Sequence, residues 1–335
     1  MAYDTCVKRN EFIINAFDPE TLMLACALCG DSESNVLAHN NEARVVICKQ
    51  CSLAFLSPRL SRDGYARFYR EYFQDSRRSL ATLDEAIQRL LRKGAYQNKM
   101  PIVEAFHGAI QTGDKGLEIG GGWGTLAKAF ENVIGCSIEV VEPSPLAVRV
   151  AREYYGLTAY MGDGETFMRD SIGNKRYDFV LLIHVFEHVL DPNIFLESVK
   201  KTLKPNGKLL FALPDLSRPD EPSDKYFHIE HCYYYTPTTI ELMLRKHEFK
   251  VCSVMQDAND MKIIAEYRDE FAISPDFKNN ERLAIRMKIA WIDAVYSVLR
   301  MLKYPMKHIF PERFFSFIHQ NAVRILKKSG IITGS

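Results

Sequence analysis

Two cysteine pairs, Cys26-Ala-Leu-Cys29 and Cys48-Lys-Gln-Cys51, stand 18 residues apart. A CxxC turn brings two sulfurs close together, and a second turn can supply the opposite edge of a tetrahedron. That is the thiolate set zinc prefers, and the spacing is that of a zinc ribbon. A redox CxxC would need only one pair, near a βαβ unit. Gly30 relaxes the first turn, and Ala43 to Ile47 reads as a strand leading into the second. Cys6, Cys136, Cys232 and Cys252 are scattered and read as reduced thiols. A second group is Glu118-Ile-Gly120-Gly-Gly122-Trp-Gly124, with Glu142 20 residues after Gly122. Glycines let backbone approach a ligand closely, and an acid at that distance can accept hydrogen bonds from ribose hydroxyls. A dinucleotide fingerprint would place its third glycine at residue 125, which is Thr125. A third group is His228-Ile-Glu230-His231. A neutral imidazole there can take a proton near pH 7, and a neighbouring acid can orient it.

Strands and helices must alternate to hold these groups. Lys115–Gly120, Ser137–Val141, Leu157–Met161, Tyr177–Val185, Lys208–Leu213, Phe249–Met255 and Met261–Tyr267 read as strands. Helices are expected from Trp123 to Asn132, from Ser144-Pro145 to about Tyr155, from Asp191-Pro192 to Lys204, and from Thr236-Pro237 to about His247. The pattern predicts an α/β, doubly wound open sheet with ligands at the carboxyl ends of its strands. Residues 61–111 read as a helical connector. One aromatic face carries Tyr65, Phe68, Tyr69, Tyr72 and Phe73, and a second amphipathic stretch runs from Leu83 to Leu91. The alternative for this segment is a lid over the site.

The 335 residues carry a net charge of +1, which gives no global bias toward nucleic acid or an anionic membrane. Residues 1–60 hold five basic and seven acidic side chains, a poor clamp for RNA. The N-terminus does not read as a secretory signal, and the longest apolar run, Phe179 to Phe186, is too short to span a bilayer. A cytoplasmic protein is expected. Residues 281–335 hold ten basic and three acidic side chains, interleaved with Trp291, Tyr296, Tyr304, Phe310, Phe314, Phe315 and Phe317. A helical extension packed on the core or on a second subunit is the favoured reading. A helix lying on a membrane surface is the alternative. Pro305 and Pro311 are expected to break the region.

From about residue 95 to 267 the chain resembles the class I S-adenosylmethionine-dependent methyltransferases. Four pieces carry the resemblance: Glu118 to Gly124, Glu142, the turn Gly162-Asp163-Gly164, and the strand at Tyr177-Asp178 ending near His184, followed by Leu203-Lys-Pro-Asn-Gly. The resemblance implies a Rossmann-like sheet of strand order 3-2-1-4-5-7-6 and S-adenosyl-L-methionine as cofactor. Its cofactor residues would be Glu118, Gly120, Gly122, Gly124, Glu142 at the ribose, Asp163 and Gly164 at the adenine, and His184.

A narrower similarity is to deoxysugar C-methyltransferases. These carry a cysteine zinc domain like Cys26 to Pro58, and a Tyr-x-Glu-His motif after strand five. Here His228 stands at the tyrosine position and Tyr226 lies two residues upstream, so C- versus O- or N-methylation stays open. The similarity implies His231 as general base, with Glu230, His228 and Tyr226 beside it. Quinone-pathway O-methyltransferases hold a divalent metal on E-x-x-E-H, where this chain has His184-Val-Phe-Glu187-His188. The expected organisation is a zinc ribbon (1–60), the connector (61–111), the catalytic domain (112–270) and C-terminal helices (271–335). The expected partner is a small-molecule acceptor, a nucleotide-linked sugar or glycan precursor, with no nucleic acid. Homo-oligomerisation is left open.

Overall fold

The computed structural model describes residues 24–40, 43–69, 82–92, 94–168, 173, 175–257, 259–268 and 281–306. Five parallel strands form the centre of the main sheet: β4 (Lys115–Ile119), β5 (Ser137–Glu142), β6 (Ala159–Met161), β7 (Tyr177–Ile183) and β8 (Leu203–Pro214). A hairpin of β10 (Phe249–Asp257) and β11 (Asp260–Tyr267) closes it, with β11 antiparallel to β8. The spatial order is β6-β5-β4-β7-β8-β11-β10. Numbering these strands one to seven along the chain gives 3-2-1-4-5-7-6, the expected order. The strands alternate between two cores. Leu117, Val180, Leu182 and Phe211 face one layer, while Phe179, Leu181 and Leu210 face the other.

Helices cover both faces: α1 (Arg62–Phe68), α2 (Leu83–Arg92), α3 (Met100–Phe106), α4 (Thr125–Ile134), α5 (Pro145–Arg149), α6 (Pro192–Thr202), α7 (Pro237–Lys246) and α8 (Arg282–Met306). Three of them start on a cap followed by proline. Ser144, Asp191 and Thr236 each accept backbone N–H groups of the first turn. The helix expected to reach Tyr155 instead gives way after Arg149 to a π turn, Val150–Tyr154. In the connector, Tyr65 and Phe68 are buried in the core, while Tyr72 and Phe73 lie outside the described residues. The Leu83 stretch is α2, packed against Val150 and Trp123.

The N-terminal segment forms a second sheet: β1 (Ser34–His39), β2 (Arg44–Cys48), β3 (Ala54–Leu56) and, from far along the chain, β9 (Tyr233–Tyr234). Both faces of this sheet are covered. Val46, Cys48 and Phe55 join the main core, and Val45, Ile47 and Ala54 pack in a layer with Ile285 and Ile289 of α8. Helix α8 runs through Pro305 to Met306, so this proline sits inside its last turn rather than breaking it earlier. Phe310, Pro311, Phe314, Phe315 and Phe317 lie outside the described residues, as do Cys6 and the side chain of Tyr304. Among the described residues, no helix is long and apolar enough to cross a membrane.

Candidate active site

The glycine loop follows β4. Gly120, Gly122 and Gly124 all adopt positive φ, at 70°, 55° and 77°. A Cβ on Gly120 would lie 2.6 Å from Val185 Cγ2, and one on Gly124 would lie 2.6 Å from Leu157 Cδ1. Above Gly122 the space is open. The three glycines therefore let the chain turn tightly between β4 and α4 and leave one bare backbone face toward a ligand. Glu142, at the end of β5, pins this loop. Its Oε2 accepts from Gly122 N at 2.9 Å and its Oε1 from Ser144 N at 2.9 Å. The carboxylate stays partly exposed at the loop's open side, with further lone pairs to offer.

Other motif residues sit deeper or off to the side. Glu118 is buried under Gly121, its Oε2 without a hydrogen-bond partner, and burial pushes its carboxyl up to about 8. It supports the loop from below rather than facing a ligand. Asp163 caps a short turn by accepting from Thr166 N at 2.9 Å, and a Cβ on Gly164 would strike Ile119 at 2.4 Å.

A cavity of about 250 Å³ opens beyond the carboxyl ends of β7 and β8. His184, Tyr226, His228, His231 and Asp260 are among its lining residues. His184 takes positive φ at the end of β7. Its ring bridges Glu187 Oε1 at 3.4 Å and Asp260 Oδ2 at 3.3 Å. Burial alone would lower its pKa, but the two acids outweigh that and raise it to about 10, so the ring is a fixed cation. Tyr226 Oη is buried with no hydrogen-bond partner, and burial keeps its phenol protonated.

The structure brings His228, Glu230 and His231 together, but not as a Glu230–His231 pair. Glu230 Oε2 lies 2.8 Å from Nδ1 of His228, close enough for an ion pair although not aligned with the ring N–H. The ring centroids of His228 and His231 lie 3.9 Å apart, with the ring planes tilted by 54°. Burial, reinforced by the neighbouring His228, His188 and His184, holds His231 uncharged well below the usual histidine range. On its other side His231 meets His188 and the buried Glu187, and one ligand atom from each of these three lies within 4.8 Å of the others.

The four cysteines converge as their spacing implies. All four Sγ atoms lie within 4.8 Å of one another, with Cys26–Cys51 at 3.4 Å and Cys29–Cys48 at 3.5 Å. Four Zn–S bonds of about 2.3 Å in a tetrahedron separate the sulfurs by roughly 3.8 Å, so the cluster fits that ion. The shared hydrogen bond between Cys26 and Cys48 pushes the first thiol up to about 12 and the second down to about 2. Several thiolates could coexist at this spacing only beside a cation.

Asp260 was not singled out from the sequence. The signal was the acidic turn between two strands, because an antiparallel β11 must lay that turn beside the end of β8, where Asp260 pairs with Pro214. A larger cavity of about 530 Å³, lined by Arg176, Lys200 and Tyr267, lies at the opposite end of the strands, by the amino ends of β7 and β8. It is on the wrong side for a ligand held at strand carboxyl ends.

A protein-family model described as a methyltransferase domain matches residues 70–254. Among curated proteins, the chain is 31% identical over 105 residues to the mitochondrial ubiquinone biosynthesis O-methyltransferase of Schizosaccharomyces pombe, covering 30% of this chain and 38% of that protein. It is 34% identical over 110 residues to the ubiquinone biosynthesis O-methyltransferase of Actinobacillus pleuropneumoniae, covering 30% and 45%. The chain thus spans less than half the length of these two relatives. Among solved structures, the PH0226 protein of Pyrococcus horikoshii aligns with a TM-score of 0.43 at 20% identity, over 60% of this chain and 99% of that one.

Proposed function

Because the chain belongs to the methyltransferase-domain family and is an S-adenosylmethionine-dependent methyltransferase, we propose that it methylates a small polar acceptor, a nucleotide-linked sugar or glycan precursor. The observation that carries the acceptor class is the lining of the 250 Å³ cavity. It joins a fixed imidazolium, a carboxylate, an unsatisfied buried phenol and a histidine pair. Such a wall suits hydroxyl groups and would be costly to cover with an apolar ring. Glu142 would hold the ribose hydroxyls, the Gly120–Gly124 backbone the methionine part, and the Asp163–Gly164 turn the adenine side. Glu118 and His184 would support that site from below and from the rim. The cofactor supplies an electrophilic methyl. The chain's own task is to hold the acceptor in line and remove its proton.

For the proton the geometry favours His228, with Glu230 behind its Nδ1 and the tilted ring of His231 against it. Tyr226 Oη would donate to an acceptor oxygen. Zinc at Cys26, Cys29, Cys48 and Cys51 would be structural.

Radiolabelled cofactor offered to nucleotide-sugars and to catechol-type quinone precursors tests the acceptor class. Label should enter the sugars, and transfer to the quinone precursors alone would overturn the proposal. With an active acceptor, His228→Gln should lower kcat by about 10²–10⁴, the usual worth of a general base. A near-parental kcat would move the base to His231.

A second reading is O-methyl transfer assisted by a divalent cation on Glu187, His188 and His231. The buried Glu187 carboxylate, which faces His184 at 3.4 Å but has no aligned hydrogen bond on either oxygen, favours it. Loss of turnover after chelation, restored by Mg²⁺ or Mn²⁺ but not by Zn²⁺, would select this reading.

A further inference from the structure

The backbone carbonyls of Phe227, His228, Ile229 and Glu230, leading into His231, are each held by a side chain from elsewhere in the fold. Phe227 O accepts from Asn40 Nδ2 at 2.7 Å. His228 O accepts from Tyr234 Oη at 3.0 Å, and Tyr234 Oη in turn accepts from His228 N at 3.0 Å. Ile229 O accepts from Tyr65 Oη at 2.9 Å. Glu230 O takes the proton of His188 Nδ1 at 2.8 Å. Cys232 O accepts from Leu56 N at 3.0 Å. Four consecutive carbonyls are thus held by four side chains from four different elements, and the next held carbonyl is tied by backbone.

Two of those side chains, and the backbone tie, come from the first 65 residues. Asn40 lies in the turn between β1 and β2. Its Oδ1 accepts from Ala43 N at 2.8 Å, which fixes the amide so that Nδ2 points at Phe227 O and, at 3.3 Å, Ser223 O. Tyr65 is buried in α1, so its hydroxyl has a single direction available. β3 pairs with β9 immediately after His231, Ala54 with Tyr234 and Phe55 with Tyr233. A turn fixed this way loses little entropy when an acceptor arrives, because its ordering is already complete in the folded chain.

We propose that the cysteine-bearing sheet and α1 are the scaffold of the acceptor turn, and that Asn40 and Tyr65 are its positioning residues, acting through the carbonyls of Phe227 and Ile229. The inference rests on reading the His228–His231 turn as the acceptor wall. Its test reads the turn's geometry without an acceptor, so it can fail while that reading stands.

The experiment compares Asn40→Ala, Asn40→Asp and Tyr65→Phe with the parent as full chains carrying labelled histidine. Asn40→Asp keeps the shape and loses the donor; Tyr65→Phe keeps the buried ring and loses only the hydroxyl. The rings of His228 and His231, with centroids 3.9 Å apart, shift each other's Cε1–H signals, and His231→Gln assigns them. Expected in all three variants are movement of both signals toward free-imidazole positions and at least tenfold faster amide exchange in residues 227–235. The His247 signal and the affinity for S-adenosylmethionine should stay within twofold of the parent. Unchanged ring signals in Asn40→Asp and Tyr65→Phe would overturn the proposal. So would a tenfold loss of cofactor affinity, which would mark these residues as supports of the whole fold.

Discussion

Glu118 opens the glycine-loop motif, and its carboxyl is buried beneath the loop. A carboxyl whose folded pKa is about 8, against 4.5 unfolded, keeps its proton longer in the folded chain. Its contribution to stability is fully present below pH 4.5 and is lost as pH rises toward 8. Glu118→Gln should therefore match the parent near pH 5 and exceed it progressively by pH 8, read as denaturant midpoints of the cofactor-free protein. A gap that does not widen with pH would mean the carboxyl is already ionised when folded. Glu142 behaves differently, being partly exposed and bonded to two backbone amides. Glu142→Ala should weaken S-adenosylmethionine binding by roughly 10- to 150-fold, the value of about 1.5–3 kcal/mol for a charged hydrogen-bond partner. Equal calorimetric affinities would remove it from the cofactor site. Both acids were legible from spacing, because strand ends and glycines fix where they fall. The partner of Glu230 was not. Whether its carboxylate meets His228 or His231 depends on how a four-residue turn coils, and spacing does not determine that.

Helix starts were the most legible elements, since each needs an acceptor for orphan N–H groups and a residue that presets φ. Thr236 shows the local rule at work. It caps α7 in a capping box with Thr239, and its hydroxyl also donates to Glu281 Oε2 at 2.8 Å, just ahead of α8. Thr236→Ala should cost about 0.5–2 kcal/mol in urea unfolding. A cost near zero would mean that the proline at the next position carries the start of the helix alone. Strand β9 shows where local rules stop. Tyr233 and Tyr234 make a two-residue strand, too short for any period, and their partner lies some 180 residues away. Only the long-range pairing makes them a strand.

At the scale of the molecule, the glycine loop and the proposed acceptor turn share the main core but differ in their second support. The glycine loop rests on β4, whose Leu117 and Ile119 lie in the main core, and on β5 and α4, which share the second core with α3. The acceptor turn rests on the cysteine sheet, itself enclosed between the main core and α8. The first cysteine turn is gripped from the catalytic side, by Lys246 Nζ on Ala27 O at 2.9 Å and Leu28 O at 3.0 Å, and by Asn193 Nδ2 on Ala27 O at 3.0 Å. A sequence reading that divides the chain near residue 60 describes the covalent order correctly but misses this interleaving. Purified protein should contain about one zinc per chain, and structural zinc sites bind with apparent free energies of about 10–16 kcal/mol. Stripping the metal, or Cys48→Ser, should therefore loosen the sheet and, through β3 and Asn40, the acceptor turn. In exchange mass spectrometry, residues 34–56 and 223–235 should lose protection together, while residues 115–124 keep theirs and S-adenosylmethionine still binds. If the metal-free chain retains protection in 34–56, the four thiols hold the sheet without an ion. If the loop at 115–124 opens at the same chelator concentration, the two ends are one cooperative unit and the division of supports is wrong.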